Sequence, residues 1–145
     1  MLNLGLLGAG LVMGISTVGS GLGIGFAGQA TIGAWKKCYI ANKPAPMMLL
    51  AFAGAPLTQT FYGFILMGQM IAAASANPEN GWLYLGYGIA SGLAISFSAI
   101  VQGKVGAAAA DAQAETGKGF AQYIAVVGIA ETVALFAMVL TMISL

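Results

Sequence analysis

Four stretches of this chain are too long and too apolar to lie in water. Residues 1–35, 44–78 and 80–103 contain no Lys, Arg, Asp or Glu, and 119–145 contains Glu131 alone. Each exceeds the roughly 20 apolar residues that cross a bilayer. In hydrocarbon every backbone N–H and C=O needs an internal partner, and these runs far exceed the roughly 10-residue alternating strands of a membrane barrel. They therefore read as helices, and the chain as an all-α membrane protein with four transmembrane helices. The runs put these at about 2–34, 47–75, 82–112 and 119–144. The first run has no basic start and is far longer than the roughly 7 to 15 apolar residues of a signal peptide, so it is expected to be retained.

Charge placement orients the helices and excludes several functions. Lys36, Lys37 and Lys43 are expected in the first loop and Lys118 in the third, whereas the second, Asn77-Pro78-Glu79-Asn80, has no lysine. The positive-inside rule then makes the first and third loops cytoplasmic and turns both termini outward. A net charge of +1 with no basic stripe gives no case for nucleic-acid binding. With no His and the single Cys38, a transition-metal site is improbable on composition. No nucleotide-binding element is present, since Gly23-x-Gly25-x-x-Gly28 lies inside an uncharged apolar run with no preceding strand.

The chain repeats itself. Leu7-Gly8-Ala9-Gly10 matches Leu85-Gly86-Tyr87-Gly88, and the same offset of 78 sets Ile24-Gly25-Phe26-Ala27-Gly28 against Gln102-Gly103-Lys104-Val105-Gly106. At an offset of 72, Thr58-Gln59-Thr60-Phe61 falls against Ala130-Glu131-Thr132-Val133. This reads as two tandem helical hairpins, residues 1–75 and 76–145. Gln59 stands in the first where the second has Glu131, and Ile24 where it has Gln102. The first helix is crowded with glycine, including Gly10-xxx-Gly14 and Gly21-xxx-Gly25, and the third carries small residues every four positions; both patterns favour close helix packing in lipid. Small faces on alternate helices suit a tightly packed inner cylinder.

Glu131 is the chemical centre of the sequence. A carboxylate deep in a transmembrane helix is costly, and such residues mark ion or proton pathways. Glu131 and Gln59 each lie about 12 residues from the cytoplasmic end of their helices, so both sit about 18 Å deep. Gln102, on a helix running the other way, reaches a similar depth. Ala55, Thr58, Gln59 and Tyr62 recur at i, i+3, i+4 and i+7 and share one helix face. Pro56 has no amide hydrogen, so the Phe52 carbonyl loses its helical partner and nearby carbonyls become available to a ligand. Oxygen-only ligation suits a hard monovalent cation, and one negative charge against one such ion leaves a neutral site able to face lipid. The alternative for Thr58 or Tyr62 alone is a polar cluster that holds helices together.

Pro56-Leu57-Thr58-Gln59-Thr60-Phe61-Tyr62-Gly63-Phe64, Gln102-Gly103-Lys104-Val105 and Ala130-Glu131-Thr132 together closely resemble the rotor-ring proteolipid, K or c, of V-type ATPases, almost end to end. The resemblance implies a closed homo-oligomeric ring in a cell membrane, the plasma membrane of a prokaryote. It implies a stationary membrane subunit that loads and unloads Glu131, and central-stalk subunits docked on the cytoplasmic loops. The chain is then not an enzyme itself, ATP being hydrolysed elsewhere in the complex. Sodium-carrying members of the family use a set that falls here on Glu131, Gln59, Gln102, Thr58 and the backbone carbonyl of Ala55, with Tyr62 bracing the glutamate. Ala55 stands where a larger apolar residue can occur, a change that leaves a backbone ligand in place. Na+ is the expected cargo; the alternative is H+ on the same carboxylate.

Two readings from other classes compete. A small four-helix multidrug exporter also carries one membrane carboxylate, but on a first helix rich in aromatic residues, whereas the first helix here is glycine-rich and uncharged. A purely structural four-helix membrane protein would use Glu131 only as a protonated hydrogen-bond partner.

Overall fold

A computed structural model of the chain describes residues 3–145. Helix α1 runs Leu4–Ile40. The second span, Met47–Ala76, is broken: a 3-10 turn at Met47–Leu49, α2 at Leu50–Gly54, a second 3-10 turn at Ala55–Leu57, then α3 at Thr58–Ala76. A short turn at Pro78–Asn80 leads into α4, Gly81–Thr116, and α5 follows at Phe120–Ser144. Among the described residues there is no strand, and four spans are long and apolar enough to cross a membrane. The expected start at residue 2 lies outside the described residues.

Local chemistry sets the helix ends. The Asn3 side chain caps α1 by accepting from the Leu6 amide at 3.1 Å. Gly117 (φ 66°) closes α4 in the left-handed conformation that glycine adopts freely, and Gly119 (φ 90°) opens α5. Two ends differ from the sequence expectation. Helix α1 continues to Ile40, so Lys36 and Lys37 lie in its last turns and not in the loop, and α4 continues to Thr116, which takes Gln113–Thr116 out of the third loop. Apolarity ends where lipid ends, but nothing breaks α1 before Asn42, whose φ is 52°. The two extensions also support each other: Lys37 Nζ meets Asp111 at 2.6 Å and Glu115 at 3.4 Å. At 1.5 Å per residue both helices exceed a ~30 Å hydrocarbon core.

Helices α1 and α4 form the packed centre. They run parallel with their backbones in contact, because Gly8, Gly19 and Gly23 of α1 meet Tyr84, Ser96 and Ala99 of α4, and Gly88 and Gly103 meet Gly8 and Gly23 in return. A Cβ at any of these positions would collide with main chain. Helix α3 lies against α1, where Gly63 admits Ser16, and α5 lies outermost, burying only Val127 and Ala134. The apolar interior is in two clusters. One gathers Val12, Leu66, Met70, Tyr84, Ile95 and Ala134; the other gathers Ala34, Leu49, Phe52, Ala109, Ala110 and Val127. Along the second, third and fourth spans, Gln59, Gln102 and Glu131 each fall between a residue of one cluster and a residue of the other. The polar site is thus layered between two apolar clusters.

Candidate ion-binding site

The break at Pro56 builds the first wall. Proline cannot donate to the carbonyl one turn back, and the helix tightens into the 3-10 turn Ala55–Leu57. The Phe52 carbonyl left over sits against Gly106 of α4, where a Cβ would lie 2.8 Å from it. The Thr58 hydroxyl is 2.9 Å from the Ala55 carbonyl and 3.2 Å from Gln59 Oε1. One hydroxyl proton serves only one of these two acceptors at a time. Three oxygens are therefore crowded together with two hydrogens among them, that of the hydroxyl and the Thr58 amide N–H that bonds the Ala55 carbonyl.

From there the network crosses the protein. Gln59 Nε2 donates to Gln102 Oε1 at 2.8 Å, and both side chains are fully buried. Gln102 Nε2 donates to Glu131 Oε2 and to the Val127 carbonyl, each at 3.1 Å. The Tyr62 hydroxyl donates to Glu131 Oε1. All six positions singled out from the sequence, Ala55, Thr58, Gln59, Tyr62, Gln102 and Glu131, thus form one connected chain of hydrogen bonds drawn from three of the four spans. Tyr62 and Glu131 are half-buried at its outer edge, and the two glutamines are at its inner end.

The electrostatics of this site are unbalanced. The ion pairs among the described residues are those of Lys37 with Asp111 and Glu115 at the far end of the protein. Lys104 lies 5.6 Å from the Phe26 ring centroid on α1. Glu131 is held by a phenol and an amide, both neutral, and no ammonium among the described residues pairs with it. An ionised carboxylate at this depth needs a countercharge, which a proton or a cation would supply. No cluster of three or more His, Cys, Asp or Glu side chains occurs among the described residues. One carboxylate with amide, hydroxyl and carbonyl oxygens is the donor chemistry of a hard cation.

Two participants escaped the sequence reading. The Val127 carbonyl, one turn before Glu131, takes the second amide hydrogen of Gln102 and fixes which end of that amide faces Glu131. Ser98, one turn before Gln102, donates to the Ala130 carbonyl at 2.7 Å and ties α5 to α4 beside the site. The i−4 spacing from Gln102 was a signal for Ser98, hidden because the residue also fits the small-residue series of α4. Thr132 bonds only to its own helix, at Ile129.

Comparison with known proteins bears on this arrangement. Residues 85–144, which span most of α4 and α5 and include Gln102 and Glu131, match the family described as the C subunit of ATP synthase. The chain is also 31% identical over 143 residues to the A-type ATP synthase subunit K of Methanocaldococcus jannaschii, an alignment covering 98% of this chain and 61% of that protein. The chain therefore spans about three-fifths of the length of the curated relative it matches. The match to this relative extends over both halves of the chain, and that to the family over the half that carries the carboxylate. The second half of the chain is thus similar to ATP synthase C subunits, and nearly its whole length to an A-type ATP synthase subunit K.

Proposed function

We propose that this protein is the rotor-ring subunit of a rotary ATPase and carries one Na+ per chain across the membrane on Glu131. The observation that carries the reading is the half-buried carboxylate with no ammonium partner, set beside oxygens that outnumber the hydrogens available to them. A Na+ ion would take the Glu131 carboxylate, the side-chain oxygens of Thr58, Gln59 and Gln102, and the carbonyl of Ala55. It would also relieve the crowding of lone pairs around Thr58. Tyr62 at the outer edge and the buried Gln102 amide both hold the carboxylate, so releasing the ion requires Glu131 to swing away from one phenol and one amide.

The occupied site is neutral and faces lipid at low cost; the empty site is anionic and does not. This difference makes the carboxylate load before it leaves the stationary subunit and unload only where a positive group or water meets it. Rotation in one direction then moves ions, and an ion gradient turns the ring in the other. ATP chemistry takes place in other subunits, and the lysine-bearing C-terminal end of α1 and the 41–46 loop face the cytoplasm and the central stalk. The termini face outward, in the plasma membrane of a prokaryote.

A proton carrier is the second reading, favoured by one observation: the Tyr62 hydroxyl lies against Glu131 Oε1, so a carboxyl hydrogen there would have the phenol oxygen as its acceptor while the Gln102 amide keeps its bond to Oε2. Equilibrium binding of radioactive sodium to the purified protein at fixed pH tests the choice. The Na+ reading expects saturable binding of one ion per chain, lost in Glu131→Gln. Absence of saturable binding up to high sodium, with proton uptake retained, would leave the proton carrier.

A further inference from the structure

Three buried side-chain atoms have no hydrogen-bond partner among the described residues: the hydroxyls of Ser20 and Thr31, and Oε1 of Gln113. Thr31 and Gln113 stand about 16 Å beyond Ser20 and Gln102 along their helices, at 1.5 Å per residue, so neither is near Glu131. Ser20 is at the depth of the ion site. A Cβ on Gly63 would lie 2.7 Å from Ser16, and a Cβ on Gly23 would lie 2.8 Å from Pro56. One turn on from Ser16 along α1 is Ser20, and one turn back from Gly63 along α3 is Gln59. The antiparallel register of the two contacts therefore sets Ser20 opposite Gln59. Both residues are wholly shut from solvent.

Two observations set this hydroxyl apart. Hydroxyls inside these helices commonly donate to the carbonyl one turn back, as Ser16, Thr17, Ser75, Ser91, Thr141 and Ser144 do. Ser20 makes no such bond to the Ser16 carbonyl. The repeat, at its offset of 78, pairs Ser20 with Ser98, whose hydroxyl ties α4 to α5 through the Ala130 carbonyl at 2.7 Å. The first half thus has the serine without the tie. An unbonded buried hydroxyl destabilises a fold, and this one faces the site where a ligand would rearrange the polar groups.

The Gln59 amide supplies the other half of the contact. One hydrogen of its Nε2 goes to Gln102 Oε1 at 2.8 Å, and the second has no acceptor among the described residues. For Gln102 the second hydrogen is taken by the Val127 carbonyl, which decides which end of that amide faces Glu131. Gln59 has no such main-chain partner. A cation held by Oε1 of both glutamines repels the amide hydrogens beside it. An amide that turns its oxygen onto the ion also turns its nitrogen away, because the two are joined to one carbon at a fixed angle. The element behind Gln59 is α1, and the hydroxyl presented there is that of Ser20.

We infer that Ser20 is a positioning residue of the ion site: with the ion in place its hydroxyl accepts the second amide hydrogen of Gln59 and so holds Gln59 Oε1 on the cation. The inference rests on the sodium reading and adds to it a group from α1, the span absent from the hydrogen-bonded chain of the site. The hydrogen of Ser20 is then free for the Ser16 carbonyl, the common bond of a helix serine, so both unpartnered groups are satisfied together.

Equilibrium sodium binding and thermal melts of the assembled full chain, compared for Ser20→Ala, Gln59→Ala and the double variant, test this. Ser20→Ala loses a bond made only with the ion, so sodium affinity is expected to fall about three- to tenfold. Its melt in sodium-free buffer is expected to be unchanged or higher, because an unbonded buried hydroxyl has been removed. In the Gln59→Ala background the same substitution should change affinity by less than about twofold, since the group through which Ser20 acts is missing. A lower sodium-free melt in Ser20→Ala, or an equal loss of affinity with and without Gln59, would mark a structural serine and overturn the inference. Unaltered affinity in Ser20→Ala, with saturable binding by the unmodified chain, sinks the inference and leaves the sodium reading standing. No saturable binding by the unmodified chain sinks that reading, and the inference with it.

Discussion

Glu131→Gln is expected to abolish sodium binding while the protein keeps its assembled mass and thermal stability, because the amide is nearly isosteric and needs no countercharge. Assembly lost in that variant would mean that the carboxylate is a structural group. Tyr62→Phe removes one charge-assisted hydrogen bond of the order of 1.5–3 kcal/mol and should weaken sodium affinity about ten- to a hundred-fold, measured by binding isotherms. Gln102→Ala acts more widely. It strips donors from Glu131 and the Val127 carbonyl and the acceptor from Gln59, so it should lower both sodium affinity and stability, the latter by ~1–3 kcal/mol. At this scale the sequence was informative about which residues meet, because polar side chains in an apolar run stand out and depth follows from counting residues. The direction of each amide was not legible. It is decided by the Val127 carbonyl, a main-chain atom whose availability depends on how α5 is rotated against α4.

The second span shows how an element can be shaped by one residue. Pro56 divides it into α2 and α3, and the intervening 3-10 turn keeps the Ala55 carbonyl beside the Thr58 hydroxyl. Pro56→Ala should restore a continuous helix, raise or preserve thermal stability, and weaken sodium binding severalfold as the Ala55 carbonyl, which now accepts the Thr58 amide, is re-aimed along a regular α-helix. Unchanged affinity would remove that carbonyl from the site. Sequence foresaw the interruption but not its form, since proline specifies a missing donor and leaves the compensating turn to its surroundings. The ends of α1 and α4 were misplaced for a related reason. Apolar runs report where lipid stops, and both helices continue beyond it as solvated rods joined by Lys37, Asp111 and Glu115.

For the molecule as a whole, four spans were visible from apolar length alone, and the close approach of α1 to α4 from their glycines. Gly103→Ala is expected to destabilise the folded chain by ~1–3 kcal/mol, as overpacking does, because its Cβ would strike the Gly23 backbone; a thermal melt followed by circular dichroism checks it. The account depends most on Glu131 being the group that the ion neutralises. The direct measurement is labelling of the intact complex with a hydrophobic carbodiimide, which attacks a protonated carboxyl in lipid, over a range of sodium concentrations at one fixed pH, with the modified residue mapped by peptide mass. The account predicts modification at Glu131, suppressed as sodium rises. Labelling of Glu131 that ignores sodium, or no labelling there at any concentration, would contradict it.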